Sequence, residues 1–220
     1  QIDDVAFAYD EEVERTQIEN TPRAAADPGS PRSMWIWKTD PINKLDARKE
    51  LFNFSETTAI RKYYIYLGED PIPDTPPAYQ KGLAEFLRDC HERGIEVHAL
   101  QGNPLWALKT YHSRVFSWIG GFLAFNRGRP IEERMDGIHM DIEPYLTQEW
   151  ETGDREKLKA EFLELMTECR RMIDKQNEAD GPVKRPWAVG LTAAKPFVMG
   201  LAIPLFYTRE PEMEEKLLKH

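Results

Sequence analysis

The sequence predicts an α/β fold of repeated βα units, and three observations predict it. Short runs of β-branched and aromatic residues alternate with longer runs whose apolar residues recur at helical spacing. The strand-like runs end at glycines, and the helix-like runs open at prolines or stop at glycines. The alternation repeats five times along one chain of 220 residues, which implies parallel strands joined by right-handed crossovers.

The elements follow in order. Residues 1–32 are expected to be an arm or linker. They are acidic first, and then "TPRAAADPGSPR" breaks any periodicity with proline, glycine and small residues. The regular domain is expected over residues 33–220. "SMWIW" reads as the first strand, and "LDARKELFNFSE" has the spacing of a helix. "KYYIYLG" reads as a strand stopped by Gly68. "PPAYQKGLAEFLRDCHERG" is a helix with a prolyl start and a stop at Gly94, and Leu83, Phe86 and Leu87 mark its buried side. "IEVHALQG" is the third strand and "SRVFSWIGGFLAFN" the helix after it. "DGIHMDIEP" is the fourth strand. The amphipathic "DREKLKAEFLELMTECRRMIDKQNEA" follows, and its charges read as a solvated face. "PWAVGLTAA" is expected as the fifth strand, and the end of the chain has helical character.

Two layouts fit this order, a doubly wound open sheet and a (β/α) barrel. "WIWKTDPINKLD" after the first strand carries neither GxGxxG nor GxxxxGK[ST], which argues against a nucleotide-binding Rossmann fold. Five units are too few to close eight strands, so a barrel would be incomplete, or truncated at its C-terminus.

Composition narrows the function classes. The net charge is −9, and residues 1–20 hold seven acids against Arg15 alone. The body is therefore only mildly acidic and offers no basic footprint for a nucleic-acid backbone. No apolar run is long enough to span a membrane. No signal peptide is visible, since the leading residues are acidic. Cys90 and Cys169 lie far apart on expected helices, in no metal-binding or disulfide pattern, and read as two free thiols.

"DGIHMDIEPY" carries the chemistry. In a strand, Ile138, Met140 and Ile142 share one face, and Gly137, His139, Asp141 and Glu143 share the other. Charged groups on an inward face are costly unless they are paired or open to a cleft. Glu143 comes last, at the carboxyl end, where barrels and open α/β sheets place their sites. The Asp141 and Glu143 Cα atoms would lie roughly 6.5 Å apart by strand rise. Two carboxylates that close repel, so one should hold a proton near neutral pH, as a general acid must. A satisfied polar network at a strand end is the alternative reading.

The same segment resembles the DxxDxDxE strand of the chitinase-type glycoside hydrolases (family eighteen), TIM barrels that carry this motif on their fourth strand. Asp136, Asp141 and Glu143 match its first and third aspartates and its glutamate, and His139 stands where the second aspartate should be. The resemblance implies a TIM-barrel fold, a carbohydrate substrate, no cofactor, and an extracellular or periplasmic location. It implies that Glu143 protonates the glycosidic oxygen and that Asp141 orients the substrate's N-acetyl nucleophile. His139 and Asp136 would tune the pair. The body, about residues 33–208, also resembles a group of bacterial barrel proteins with no assigned reaction. That group shares "MWIW"-like first strands, "GIEVHALQGNPLWA"-like third strands and "AIPLFY" after strand five.

Further candidates surround that strand. His98 is expected beside His139 on the neighbouring strand, or as a hydrogen-bonded core histidine. His98, His139, Asp141 and Glu143 have metal-ligand chemistry but no HxH or HExxH spacing, so no metal is expected. Trp35, Trp37, Gln101, Asn103, Trp106, Tyr145 and Trp150 fall at strand ends and loops, and with Tyr207 they are candidates for binding a sugar. Trp35 and Trp37 fit an aromatic core as well. Trp106, Tyr145 and Trp150, which follow strand ends, fit a cleft better. The favoured expectation is a glycoside hydrolase with Glu143 as general acid/base. The rivals are a non-catalytic carbohydrate-binding barrel and a metal-dependent hydrolase.

Overall fold

A computed structural model describes residues 32–181, Trp187 and residues 196–202. The arm over 1–31, most of the segment expected as the fifth strand, and Tyr207 lie outside these residues.

Five strands form one parallel sheet in the order β1-β2-β3-β4-β5: Arg32–Ile36, Ile60–Tyr66, Glu96–Gln101, Gly137–Met140 and Val198–Leu201. Four of the strands stand where the sequence places them. The segment expected as the fifth strand lies outside the described residues except for Trp187. The strand that pairs with β4 is Val198–Leu201, in "KPFVMGL", while Trp187 from "PWAVGLTAA" sits in a turn. Gly200 lies opposite His139 in this pairing, and its bare backbone leaves room for the His139 ring.

The helices between the strands are α1 (Asp40–Asn43), α2 (Leu45–Thr58), α3 (Pro77–His91), α4 (His112–Asn126), α5 (Gln148–Thr152) and α6 (Arg155–Asp180). Each has a local cause. α2 ends on Ala59 at φ 58°, and α3 starts on a proline. The turn after α3 uses Gly94 at φ 69°, a left-handed conformation that side chains resist. Asp154 caps α6 by accepting the Lys157 N–H at 3.0 Å. In α6, Leu158, Phe162, Leu165, Met166, Cys169 and Ile173 are buried, which is one stripe at helical spacing. Both cysteines are free and buried.

The core lies between this helical layer and one face of the sheet. Tyr63, Ile65, Val97, Ala99, Ile138, Met140 and Ile142 are fully shielded there. The other face carries Trp35, Lys62, Tyr64, Tyr66, Glu96, His98 and His139; Glu96 and His98 are buried, and the rest are half-buried or open toward the strand ends. Rings from distant strands meet on it. Trp35 of β1 lies 5.7 Å from His139 of β4, and Tyr64 of β2 lies 4.2 Å from it. Three strands span roughly 14 Å in a flat sheet, so the sheet bends toward this face. Among the described residues no helix is long and apolar enough to cross a membrane.

Candidate functional site

The fourth strand positions the site. Its ladder ends at Met140, three residues short of Glu143, although Asp141 N–H still reaches the Gln101 carbonyl at 3.0 Å. Ile142 stays fully buried, so the alternation persists past the strand and turns Asp141 and Glu143 away from the core. Both carboxylates are half-buried at the carboxyl end of the sheet. Gly102 makes this possible. A Cβ there would stand 1.7 Å from the Asp141 carbonyl oxygen, so only a bare backbone lets the ends of β3 and β4 close up.

Burial, and then the Glu143 charge, raise the Asp141 pKa above the ordinary carboxylate value. Tyr145 donates its phenol to Glu143 Oε1. Burial, the bond to Glu143 and the charge of both carboxylates hold that phenol well above its usual pKa.

His139 stands deeper on the same face, under Tyr64 and Trp35. Burial, and then the fields of His98 and Lys62, push its pKa down to about 4, so the ring is neutral near pH 7. Its Nε2 has no hydrogen-bond partner among the described residues. His98 lies below it, edge-on to Tyr64 at 5.6 Å. Its Nε2 is 3.6 Å from Glu96 Oε2, beyond a normal hydrogen bond, and Glu96 pairs with Lys62 at 3.2 Å. Burial lowers the His98 pKa against the opposing pull of Glu96. Gly137 makes room for this ring, since a Cβ there would meet His98 Nδ1 at 2.9 Å.

The structure does not bring Asp136 to this group. Asp136 lies at the amino end of β4 and on the opposite face. It is 2% exposed, bound to His91 Nε2 at 2.9 Å, to Val97 N–H at 2.8 Å and to Trp187 Nε1 at 3.0 Å. It ties α3 to the sheet, which corrects its expected part in tuning Asp141 and Glu143. Odd spacing carries the reason, because Asp136 is five residues before Asp141 and a strand alternates by two.

The aromatic candidates divide against expectation. Trp106 is 4% exposed and packs on Trp118 at 5.7 Å, so it belongs to the core and not to a cleft. Trp35 and Trp37 are 39% and 56% exposed, with centroids 5.6 Å apart, and Trp37 continues to Tyr66 at 6.1 Å. Trp150 has the Arg155 guanidinium over its ring at 4.6 Å, so one of its faces is taken. Gln101 is buried, and its amide donates to the Gly68 carbonyl and accepts from Gly102 N–H, which shapes the loops after β2 and β3. Asn103 accepts from Leu105 N–H in the next turn. Tyr64 and Tyr66 were missed as site residues. Their signal was present in "KYYIYLG", where Lys62, Tyr64 and Tyr66 recur at every second position with polar tips. Among the described residues no group of three or more His, Cys, Asp or Glu is arranged to hold a metal ion.

No protein-family model, no curated protein and no solved structure matches the chain.

Proposed function

We propose that this chain is a barrel-type glycoside hydrolase that cleaves an oligo- or polysaccharide at the Asp141 and Glu143 pair, with Glu143 as general acid/base. The observation that carries the reading is the paired carboxylates at the carboxyl end of β4, on the same face as an open wall of Trp35, Trp37 and Tyr66. Sugar rings stack on such walls through their C–H faces, and a carboxyl pair can then exchange protons with the glycosidic oxygen and with water. Burial and the Glu143 charge raise the Asp141 pKa, which favours a carboxyl that keeps its proton longer than a free one.

The barrel part of the proposal rests on strand order. A doubly wound sheet reverses order at a switch point, whereas β1 to β5 run in sequence. Right-handed crossovers between sequential strands put every helix on one side. The ring contacts from β1 and β2 to β4 then mark the concave side. An extracellular or periplasmic location belongs to this proposal, as the place where polysaccharides are met.

Purified Glu143→Gln should lose turnover across an oligosaccharide panel while still binding the glycan. Activity equal to the parent would sink the proposal. A non-catalytic carbohydrate-binding barrel is favoured by one observation: His139, in the place of the motif's second aspartate, lies under Tyr64 and Trp35 with its Nε2 unpartnered among the described residues. Glycan binding without release of reducing ends would select that reading.

A further inference from the structure

The two carboxylates are not held alike. After Glu143 the chain makes a tight turn over Pro144–Leu146, closed by Leu146 N–H to the Glu143 carbonyl at 3.0 Å and Thr147 N–H to the Pro144 carbonyl at 3.1 Å. The buried Thr147 hydroxyl locks it with a second bond to the Pro144 carbonyl at 2.7 Å. The turn folds the Tyr145 side chain back over residue 143, where its phenol donates to Glu143 Oε1. No hydrogen bond reaches the Asp141 carboxylate among the described residues; the one bond of Asp141 there is through its backbone N–H.

We infer that Tyr145 is a positioning residue, whose phenol anchors Glu143 as a hydrogen-bond-accepting carboxylate and leaves Asp141 as the member of the pair that holds the proton. A carboxylate with a donor gains on a neighbour without one, because the bond favours the charged form. The phenol can keep this role because burial and both carboxylates hold its own proton in place. Among the described residues the charged group acting on Asp141 is Glu143, and Glu143 and Asp141 act on Tyr145. On the helices packed against the turn, Arg155 and Lys159 are placed over the Trp150 ring. The assignment of catalytic parts rests on the hydrolytic reading above, in which Glu143 delivers to the glycosidic oxygen a proton that Asp141 holds at rest; the division of the proton does not.

The test is a carboxyl ¹³C NMR titration of the whole chain, assigned with Asp141→Asn and Glu143→Gln. In the parent, Asp141 should titrate at the higher pH of the pair. In Tyr145→Phe its midpoint should fall by about one unit, as the proton is shared with an unanchored neighbour. An unmoved Asp141 midpoint in a folded Tyr145→Phe overturns the inference. If that variant does not fold, the order of the two midpoints in the parent decides, and Glu143 titrating above Asp141 overturns it. On any glycan the parent cleaves, the alkaline limb of kcat/KM should move to higher pH in Tyr145→Phe, because the unanchored partner also holds the last proton of the pair. If Glu143→Gln retains full activity, the hydrolytic reading fails while the midpoints still decide the role of Tyr145.

Discussion

Tyr63 and Tyr64 are neighbours in β2 and point to opposite sides of the sheet, into different chemistry. Tyr63 is fully shielded, hydrogen-bonded to Ser55 at 2.5 Å and stacked near Phe86 at 6.4 Å. Tyr64 is half-buried between His98 and His139, and among the described residues both His98 ring nitrogens and His139 Nε2 lack a hydrogen-bond partner in normal range. The same division runs through β3 and β4. Val97, Ala99, Ile138 and Met140 fill the space under the helices, while Glu96, His98 and His139 face away from them. The helix-facing side is packed apolar surface and holds the fold together. Among the described residues the other side leaves both His98 ring nitrogens and His139 Nε2 buried without a hydrogen-bond partner, and the helical layer leaves His112 Nε2 and Trp118 Nε1 so.

Four measurements can break or sharpen that contrast. The largest effect belongs to the open side. Glu143→Gln should lower kcat/KM on a cleaved glycan about 10²- to 10⁴-fold, as loss of a general acid/base does, with little change in melting temperature. A large loss of stability instead would make Glu143 a structural residue. On the packed side, Ile138→Ala should cost about 3 kcal/mol in denaturant unfolding, from lost burial and the cavity left behind. Tyr64→Ala should cost less than half of that, and an equal cost would erase the distinction between the faces.

The third measurement is a pH series. The folded pKa of His139, about 4, lies below its ordinary 6.5. The unfolded chain therefore binds the proton more readily, and the stability that goes with the neutral ring is present above pH 6.5 and lost as pH falls toward 4. A shift of this size is worth about 3 kcal/mol undiscounted, and water at the partly exposed ring reduces it to about 1–2 kcal/mol. His139→Gln should flatten this part of the curve. An unchanged slope would assign it to other groups. The smallest effect is expected at Asp141, where the sign reverses. Its raised pKa means that the folded state is penalised once pH rises through it. Asp141→Asn should therefore melt slightly higher at neutral pH, by about 2 °C, and match the parent in acid.

Much of the fold was legible because its signals are local. Pro77, Gly94 and Gly68 mark boundaries through backbone geometry, and the α6 stripe is a period that one helix sets by itself. The strand beside β4, Val198–Leu201, was not legible because pairing is not local. "FVMGL" is strand-like in composition, but its pairing depends on a backbone that fits beside His139, as Gly200 does. At the site, the facing of His139, Asp141 and Glu143 followed from alternation alone. Trp106 and Asp136 did not follow. Trp106 comes after a strand end, as a cleft residue would, but its turn folds it inward onto Trp118. Asp136 matches a motif by letter, yet its partners His91 and Trp187 come from distant segments that no spacing in the fourth strand reveals.

Gly102 limits how this site can be remodelled. The Asp141 carbonyl occupies the place where any side chain at 102 would begin. Even alanine there would push the Asp141 backbone outward, and the carboxylate with it. A library that diversifies the loop after β3 should therefore hold position 102 fixed and start at Asn103. The one atom missing from that glycine sets where the acid can stand, so the loop and the carboxylate change together or not at all.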